Sequence, residues 1–301
     1  MNYRRLILAM ALTLPLAGAA QAQADLSNVQ VRAERIKPGV AVLFGSGGNI
    51  GVSYGEDGTV LIDDEFAPLT ARIQAAIAGL GASPVKFLVN THWHADHTGG
   101  NENFGKAGVT IFAQDNVRVR MAAGGLVNGA RTEPAPKVAL PVVTYETGLT
   151  FHLNGDTIDV IHTGGGHTDG DSLIYWRNAN VLHTGDMMMH RSGFPFVDVN
   201  SGGNVGHLIS SLDQLIALTN ADTVIIPGHG PLADRAALLA WRGMIATAKE
   251  RVERLKDQGR TLAQAKAAKP LAGLSNAPNG FVSDDAFVEA IWVSAEGHHH
   301  H

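Results

Sequence analysis

The chain has 301 residues, 45% of them hydrophobic and 17% charged, so it can bury a large core and lacks the composition of a disordered segment. Its 23 Lys and Arg against 28 Asp and Glu leave a net charge of -5, which excludes the basic footprint of a nucleic-acid binder and a polybasic membrane patch. Cysteine is absent, so disulfides, thiolate nucleophiles and thiolate-held zinc are excluded, and any transition-metal site must use His and carboxylate.

Arg4 and Arg5 precede an apolar run from Leu6 to Gly18, followed by Ala20-Gln21-Ala22 and Ala22-Gln23-Ala24. A basic start, a short apolar run and an Ala-x-Ala exit describe a secretory signal peptide over residues 1–24, and the run is short for a bilayer span. Periplasmic or secreted localisation without a stable membrane anchor is the expectation. Residues 297–301 read as an affinity-tag remnant, leaving 25–296 as a single domain.

Short β-like runs open that domain, with Val40 to Phe44 first. Ile50 to Tyr54 and Thr59 to Ile62 flank a Gly55-Glu56-Asp57-Gly58 turn and predict a hairpin. Leu69 to Leu80 has helical spacing after Pro68, and Val85 to Val89 is an apolar run of strand length. Ser46 to Gly48 and Gly124 to Pro136 read as loops near a site. In the second half, Leu149 to Leu153 and Thr157 to Ile161 flank Asn154-Gly155-Asp156, another hairpin signal. Ser172 to Trp176 and Asn180 to His183 predict a strand pair, and Thr223 to Ile226 a short buried strand. Leu208 to Leu218, Ala233 to Gln258, Ala263 to Lys269 and Asp285 to Trp292 predict helices. Strands first and helices after, twice over, imply two packed sheets with helices outside.

Thr91-His92-Trp93-His94-Ala95-Asp96-His97 carries the chemistry. Strand alternation points His92, His94 and Asp96 one way, and a turn brings His97 round to a second ion. Four ligand-type residues in six positions are costly to bury without a partner, and a metal is the economical one. Three more places repeat one grammar of apolar strand, glycine and ligand-type residue. Val160 to Thr163 leads to Gly166-His167-Thr168, Val181 to Thr184 leads to Gly185-Asp186, and Val224 to Pro227 leads to Gly228-His229-Gly230.

His-x-His-x-Asp-His, Gly-His-Thr, Thr-Gly-Asp and Pro-Gly-His-Gly, in that order from Val40 to His229, resemble the metallo-β-lactamase superfamily. The resemblance implies an α+β fold, a four-layer αββα sandwich of two pseudo-symmetric halves with metals at one edge. It implies two zinc ions, with iron or manganese as alternatives. His92, His94 and His167 would hold one ion, Asp96, His97 and His229 the other, and Asp186 would bridge them. Such a pair acidifies a water, and the metal-bound hydroxide attacks a carbonyl, with Asp96, His92 and His94 at the centre of catalysis. Asp63 resembles the family's aspartate after the second hairpin strand and is expected to fix a ligand or its loop. Thr91, Thr168 and Thr184 are candidates for hydrogen bonds around the ligands, with loop capping the alternative. His190 and Arg191, after Met187-Met188-Met189, are candidate substrate contacts, while His162 and His183 are expected to pack or orient.

A small-molecule substrate is expected, and β-lactam ring opening is the most concrete choice for an exported chain. Asp186 as a bridging carboxylate is instead the pattern of the superfamily's thioesterases, lactonases, esterases and nucleases; the first three form the alternative, and the acidic balance and signal peptide argue against a nuclease. A non-haem iron sulfur dioxygenase is the redox alternative. A scaffold with a vestigial site would have lost ligands, and every motif position is filled. Oligomeric state is not readable from the sequence.

Overall fold

The computed structural model describes residues 25–275 and 280–295. The signal-peptide and tag readings at 1–24 and 297–301 lie outside those residues. The strands, in chain order, are β1 (Arg32–Lys37), β2 (Val40–Phe44), β3 (Ile50–Gly55), β4 (Gly58–Ile62), β5 (Val85–Val89), β6 (Thr110–Gln114), β7 (Gly125–Val127), β8 (Ala130–Thr132), β9 (Val143–Tyr145), β10 (Gly148–Leu153), β11 (Asp156–His162), β12 (Ser172–Trp176), β13 (Val181–His183) and β14 (Val224–Ile226). The helices are α1 (Thr70–Gly79), α2 (Ala95–Thr98), α3 (Asn101–Lys106), α4 (Asp115–Ala123), α5 (Val205–Leu218), α6 (Arg235–Asp257), α7 (Leu262–Ala267) and α8 (Asp284–Ser294).

A seven-stranded sheet runs β1-β2-β3-β4-β5-β6-β9, and a five-stranded sheet runs β10-β11-β12-β13-β14. Period-two alternation assigns each strand's two faces to two different cores. On β2, Val40 and Val42 face the second sheet, whereas Ala41 and Leu43 pack with Ile73 and Ile77 of α1. On β13 and β14, Val181 and Ile226 face the first sheet, whereas Leu182 and Ile225 pack against Leu212 of α5 and Trp241 and Ile245 of α6. Three apolar layers therefore separate helix, sheet, sheet and helix, which is the αββα sandwich expected from the sequence. Strands buried on both faces read as continuous apolar runs, as Val224–Ile226 does.

The hairpin turns form where predicted. Asn154 and Gly155 take φ of 57° and 73°, the left-handed pair that a tight hairpin needs. The two predicted hairpins, one from each sheet, also clasp at their tips. Asp57 N donates to Asn154 Oδ1 (3.2 Å) and Asn154 N donates to Asp57 Oδ2 (2.7 Å).

Three local expectations need correction. The stretch from Gly124 to Pro136 is not wholly loop, because β7 and β8 pair antiparallel across Asn128-Gly129. That dipeptide has φ of 49° and 75°, the same turn chemistry as Asn154-Gly155, joining strands too short to show alternation. The first half does not place its helices after its strands: α1 lies between β4 and β5, and α2 and α3 lie between β5 and β6. Parallel neighbours β4, β5 and β6 need crossovers, and these helices supply them. Finally, α4 carries no clear apolar stripe to predict it; its helix starts where the Gln114 side chain accepts from Asn116 N.

Parallel pairing aims the carboxyl ends of β4, β5, β13 and β14 at one edge of the sandwich. The loops after those strands carry Asp63, His92 to His97, Asp186 and His229, so topology gathers residues far apart in the chain.

Candidate metal centre

The chain leaves β5 through Asn90 and bends at Thr91 to Trp93 before α2 begins at Ala95. Strand alternation therefore does not extend to Asp96, contrary to the expectation that it would share the direction of His92 and His94. Asp96 and His97 sit in the helical turn and face a different set of donors. The side-chain donors of His92, His94, His167 and Asp186 lie within 4.8 Å of one another, and those of Asp96, His97 and His229 form a second such group. All seven predicted ligand residues thus come together, in two sets. Asp186 approaches both: its carboxylate is 3.9 Å from His92 Nε2 and 3.6 Å from His167 Nε2, and 3.1 Å from His97 Nε2 and 3.4 Å from His229 Nε2.

Four of the five imidazoles have their outward nitrogen tied, leaving the other to face the centre. His97 Nδ1–H donates to Asp63 Oδ2 at 2.7 Å. Thr91 Oγ1 donates to the same oxygen at 2.7 Å, so His92 Nδ1–H must be the donor to Thr91 Oγ1 at 3.0 Å. Asp63 Oδ1 accepts Thr91 N as well, at 2.8 Å. One buried carboxylate consequently orients a histidine in each donor set. His94 Nε2 meets Asp198 Oδ2 at 2.9 Å, and His167 Nδ1 donates to the Phe196 carbonyl at 2.7 Å.

Electrostatics divide the two sets. Burial and neighbouring imidazoles hold His92 well below its usual range and His167 down at about 4, so both rings are neutral lone-pair donors at neutral pH. His97 and His229 are also buried, which lowers basicity, but carboxylates outweigh that. Asp186, Asp96 and Asp63 raise His97 well above the ordinary value, and Asp186 and Asp96 raise His229 to about 10. Against the cost of burial, His97 and His229 lower Asp96 to about 2.

These residues fit a pair of divalent ions. His92 Nε2 and Asp186 Oδ1 are buried without a hydrogen-bond partner, which is expensive unless something else satisfies them. His94 Nδ1 and His167 Nε2 converge to 2.9 Å, and His97 Nε2 and His229 Nε2 to 3.3 Å. Imidazole and carboxylate donors at such spacing suit zinc, iron or manganese.

Glycines make the space. A Cβ on Gly48 would stand 2.1 Å from His97 Cε1, one on Gly47 2.7 Å from the Asp96 carbonyl, and one on Gly228 2.0 Å from Asp186 Oδ1. The Ser46 to Gly48 loop is held in that position by buried Glu65, whose carboxylate accepts Ser46 N at 3.0 Å.

Other expected residues take plainer roles. The Thr184 hydroxyl donates to the Gly185 carbonyl and the Thr168 hydroxyl to Asp171, so neither bonds a ligand side chain. Asp171 in turn accepts His167 N at 2.7 Å and thereby shapes the ligand's loop. His162 and His183 orient loops through the Asp171 and Asn49 carbonyls. His190 Nδ1 bonds the Pro231 carbonyl, and Arg191 is exposed; neither is among the residues lining the cavity beside the ligands. The physical reason is the backbone: Met189 pairs with His229, and His190 N donates to the His229 carbonyl, turning the chain away after Met189. Sequence reasoning missed Asp198 and the Phe196 carbonyl. No local pattern marks an aspartate between two valines, and a carbonyl has no residue signature at all.

The cavity over the donors has a volume of about 470 Å³. His94, Asp96, Asp186 and His229 form its floor, and β7 and β8 contribute to its wall through Val127, Ala130 and Thr132.

Residues 43–229 match the sequence profile of the metallo-beta-lactamase superfamily. A metallo-beta-lactamase type 2 from Bacteroides fragilis is 26% identical over 153 residues, covering 50% of this chain and 55% of that protein. A hydroxyacylglutathione hydrolase from Brucella ovis is 29% identical over 181 residues, covering 56% of this chain and 60% of that one. The matches therefore span little more than half of these curated relatives. Among solved structures, a metallo-beta-lactamase from Pontibacter korlensis superposes with a TM-score of 0.61 at 22% identity, over 72% of this chain and 99% of the other.

Proposed function

The chain belongs to the metallo-beta-lactamase superfamily, and from that premise we propose that it is an exported dinuclear zinc hydrolase that cleaves a carbonyl compound with water. The observation that carries this reading is the pair of donor sets meeting at Asp186, with His92 Nε2 and Asp186 Oδ1 otherwise unsatisfied. His92, His94 and His167 would hold one ion, Asp96, His97 and His229 the other, with Asp186 between them. Ions bound there supply Lewis acidity, lowering the pKa of water toward neutrality and polarising the acceptor carbonyl.

The chain's own residues do the rest. Asp63, through Thr91 and His97, and Asp198, through His94, keep protons on the outward ring nitrogens and so keep the inward lone pairs free. Asp96, held at about 2, stays ionised throughout the neutral range. Its side chain is 31% exposed and faces the cavity, so it marks the side from which substrate reaches the donors. Val127, Met189 and Phe196 give the approach to them an apolar lining.

β-Lactam opening and the cleavage of an ester, lactone or thioester share this chemistry. The Bacteroides relative's name supports the first and the Brucella relative's name the second. Asp186 as a shared carboxylate favours the second. Among the described residues no helix is long and apolar enough to cross a membrane, and fractionation of cells expressing the full chain tests the proposed periplasmic or secreted location.

Protein purified without added metal should contain close to two equivalents of zinc. It should hydrolyse at least one of nitrocefin, an aryl ester, a lactone and a thioester. His92→Ala should abolish turnover, and Asp186→Ala should lose one ion or most of the activity. Dominant iron with thiol-dependent oxygen uptake would overturn the hydrolase reading.

A further inference from the structure

The cavity over the donors has an unusual balance of charge and shape. Beyond the ligands its wall is mostly apolar, with Phe66, Val127, Met189, Phe196 and Phe281 the large side chains; its other polar groups, Asn128, Thr132 and Ser192, are uncharged, and no Lys or Arg is among the residues lining it. Phe281 is 66% exposed, far from the usual fate of a phenylalanine. It is nevertheless held in place: its N–H donates to the Ser192 carbonyl at 3.2 Å, Val282 bridges Gly193, and its ring meets Phe196 edge-on at 6.1 Å. A second cavity of about 470 Å³ shares Asn128, Phe196 and Phe281 with the first. Val282, Ala286, Ala290 and Val293 continue the apolar surface there, and its charged lining groups are Asp198 and Glu289, both acidic.

Two divalent ions held at the centre would bring four positive charges, and four carboxylates, Asp96, Asp186, Asp63 and Asp198, lie in or directly behind the ligand sets, so the centre would have little excess positive charge to draw a second, non-coordinating anionic group. A substrate carboxylate entering this cavity would lose its hydration and find neither a guanidinium nor an ammonium to replace it.

We infer that the substrate is an uncharged acyl compound, an ester, thioester or lactone, whose apolar tail runs from the metal centre along Phe196 and Phe281 into the groove beside α8. This rests on the dinuclear-hydrolase reading and narrows it. Phe281 is then a specificity-determining residue, a fixed apolar rail at the mouth. Typical β-lactams carry a carboxylate beside the ring, so nitrocefin should be a poor substrate.

Alkyl hydroxamates test the inference by binding, because their head chelates zinc and their tail is chosen freely. Calorimetry on the zinc-loaded protein should show affinity rising roughly two- to fourfold per added methylene from acetohydroxamate through butyrohydroxamate to octanohydroxamate. Succinic monohydroxamate, which matches butyrohydroxamate in length but ends in a carboxylate, should bind at least about tenfold more weakly than butyrohydroxamate. Phe281→Ala should cut the ratio of octano- to acetohydroxamate affinity by roughly fivefold or more. Acetohydroxamate binding with a flat series, or with succinic monohydroxamate preferred, overturns the substrate class and leaves the metal centre standing. Failure of acetohydroxamate to bind at all overturns the metal-centre reading and this inference with it.

Discussion

Replacing Asp63 by Asn should disable both donor sets at once, although Asp63 lies outside both of them. Asn tolerates the left-handed φ of 62° at this position, so the backbone need not move. The new amide oxygen can still accept Thr91 N, as Asp63 Oδ1 does at 2.8 Å. Its NH2 then replaces Oδ2 and faces two groups that were donating to it, Thr91 Oγ1–H and His97 Nδ1–H. Both contacts must reverse. The Thr91 hydroxyl turns to donate to His92 Nδ1, which moves that ring's proton to Nε2, the nitrogen facing the centre. His97 must accept through Nδ1 and likewise carry its proton on Nε2. Two ligand histidines are thereby biased toward the tautomer that cannot coordinate. Loss of such orienting partners typically costs 10–100-fold in metal affinity, or about 1.4–2.7 kcal/mol per ion. Competition titrations against a chromophoric chelator should show both zinc affinities weakened by roughly that factor, with turnover falling in parallel. Thermal melts should show that the fold persists. If both affinities stay within about twofold of the parent value, the relay from Asp63 through Thr91 does not set the tautomers and the reasoning fails.

Two further outcomes follow from the same geometry. Because Asp186 and Asp96 raise His229 to about 10, while His97 is also raised, the second set holds protons at neutral pH that a metal must displace. His92 and His167 of the first set are already neutral and add little pH dependence, so the second ion's affinity should rise more steeply with pH and be lost first on acidification; potentiometric titration at several pH values checks this. In the ion-free chain the sign is opposite: the raised His229 contributes stability that is full below about 6.5 and fades as pH rises through about 10, so ion-free melts should worsen over that window. Gly228→Ala places a methyl 2.0 Å from Asp186 Oδ1 and 2.6 Å from the Gly185 carbonyl carbon. It should cost about 1–3 kcal/mol in denaturant unfolding and lower zinc content, and a fully loaded variant of parental stability would show that the loop yields freely.

The legible part of this site was what the chain concentrates or repeats. His92, His94, Asp96 and His97 stand out because ligand-type residues rarely crowd behind an apolar strand. His167, Asp186 and His229 stand out because each follows the same strand and glycine pattern. The αββα layering was legible because β2, β13 and β14 are apolar on both faces and still alternate between two cores. What escaped depends on relations between distant segments. Asp198 matters only because His94 lies against it, and Phe196 contributes a backbone oxygen that its side chain does not advertise. The β7–β8 hairpin escaped because its strands have three residues each, too few for a period to show. Arg191 lies close in sequence to Asp186, yet the chain turns at Met189, which pairs with His229, and leaves Arg191 outside the cavity lining.

The two hairpin tips joined by Asp57 and Asn154 lie at the end of the sandwich opposite the ligand loops. The donors themselves come from both sheets: His92 to His97 follow a strand of the first, and His167, Asp186 and His229 follow strands of the second. Metal held as proposed would pin the sandwich at both ends, by reciprocal hydrogen bonds at one and by shared coordination at the other, and separating the sheets would then require ions to leave before the inner core opens. If ions occupy both sets as proposed, the lifetime of the loaded protein against heat and proteases should follow the rate of metal escape, and chelation should shorten it.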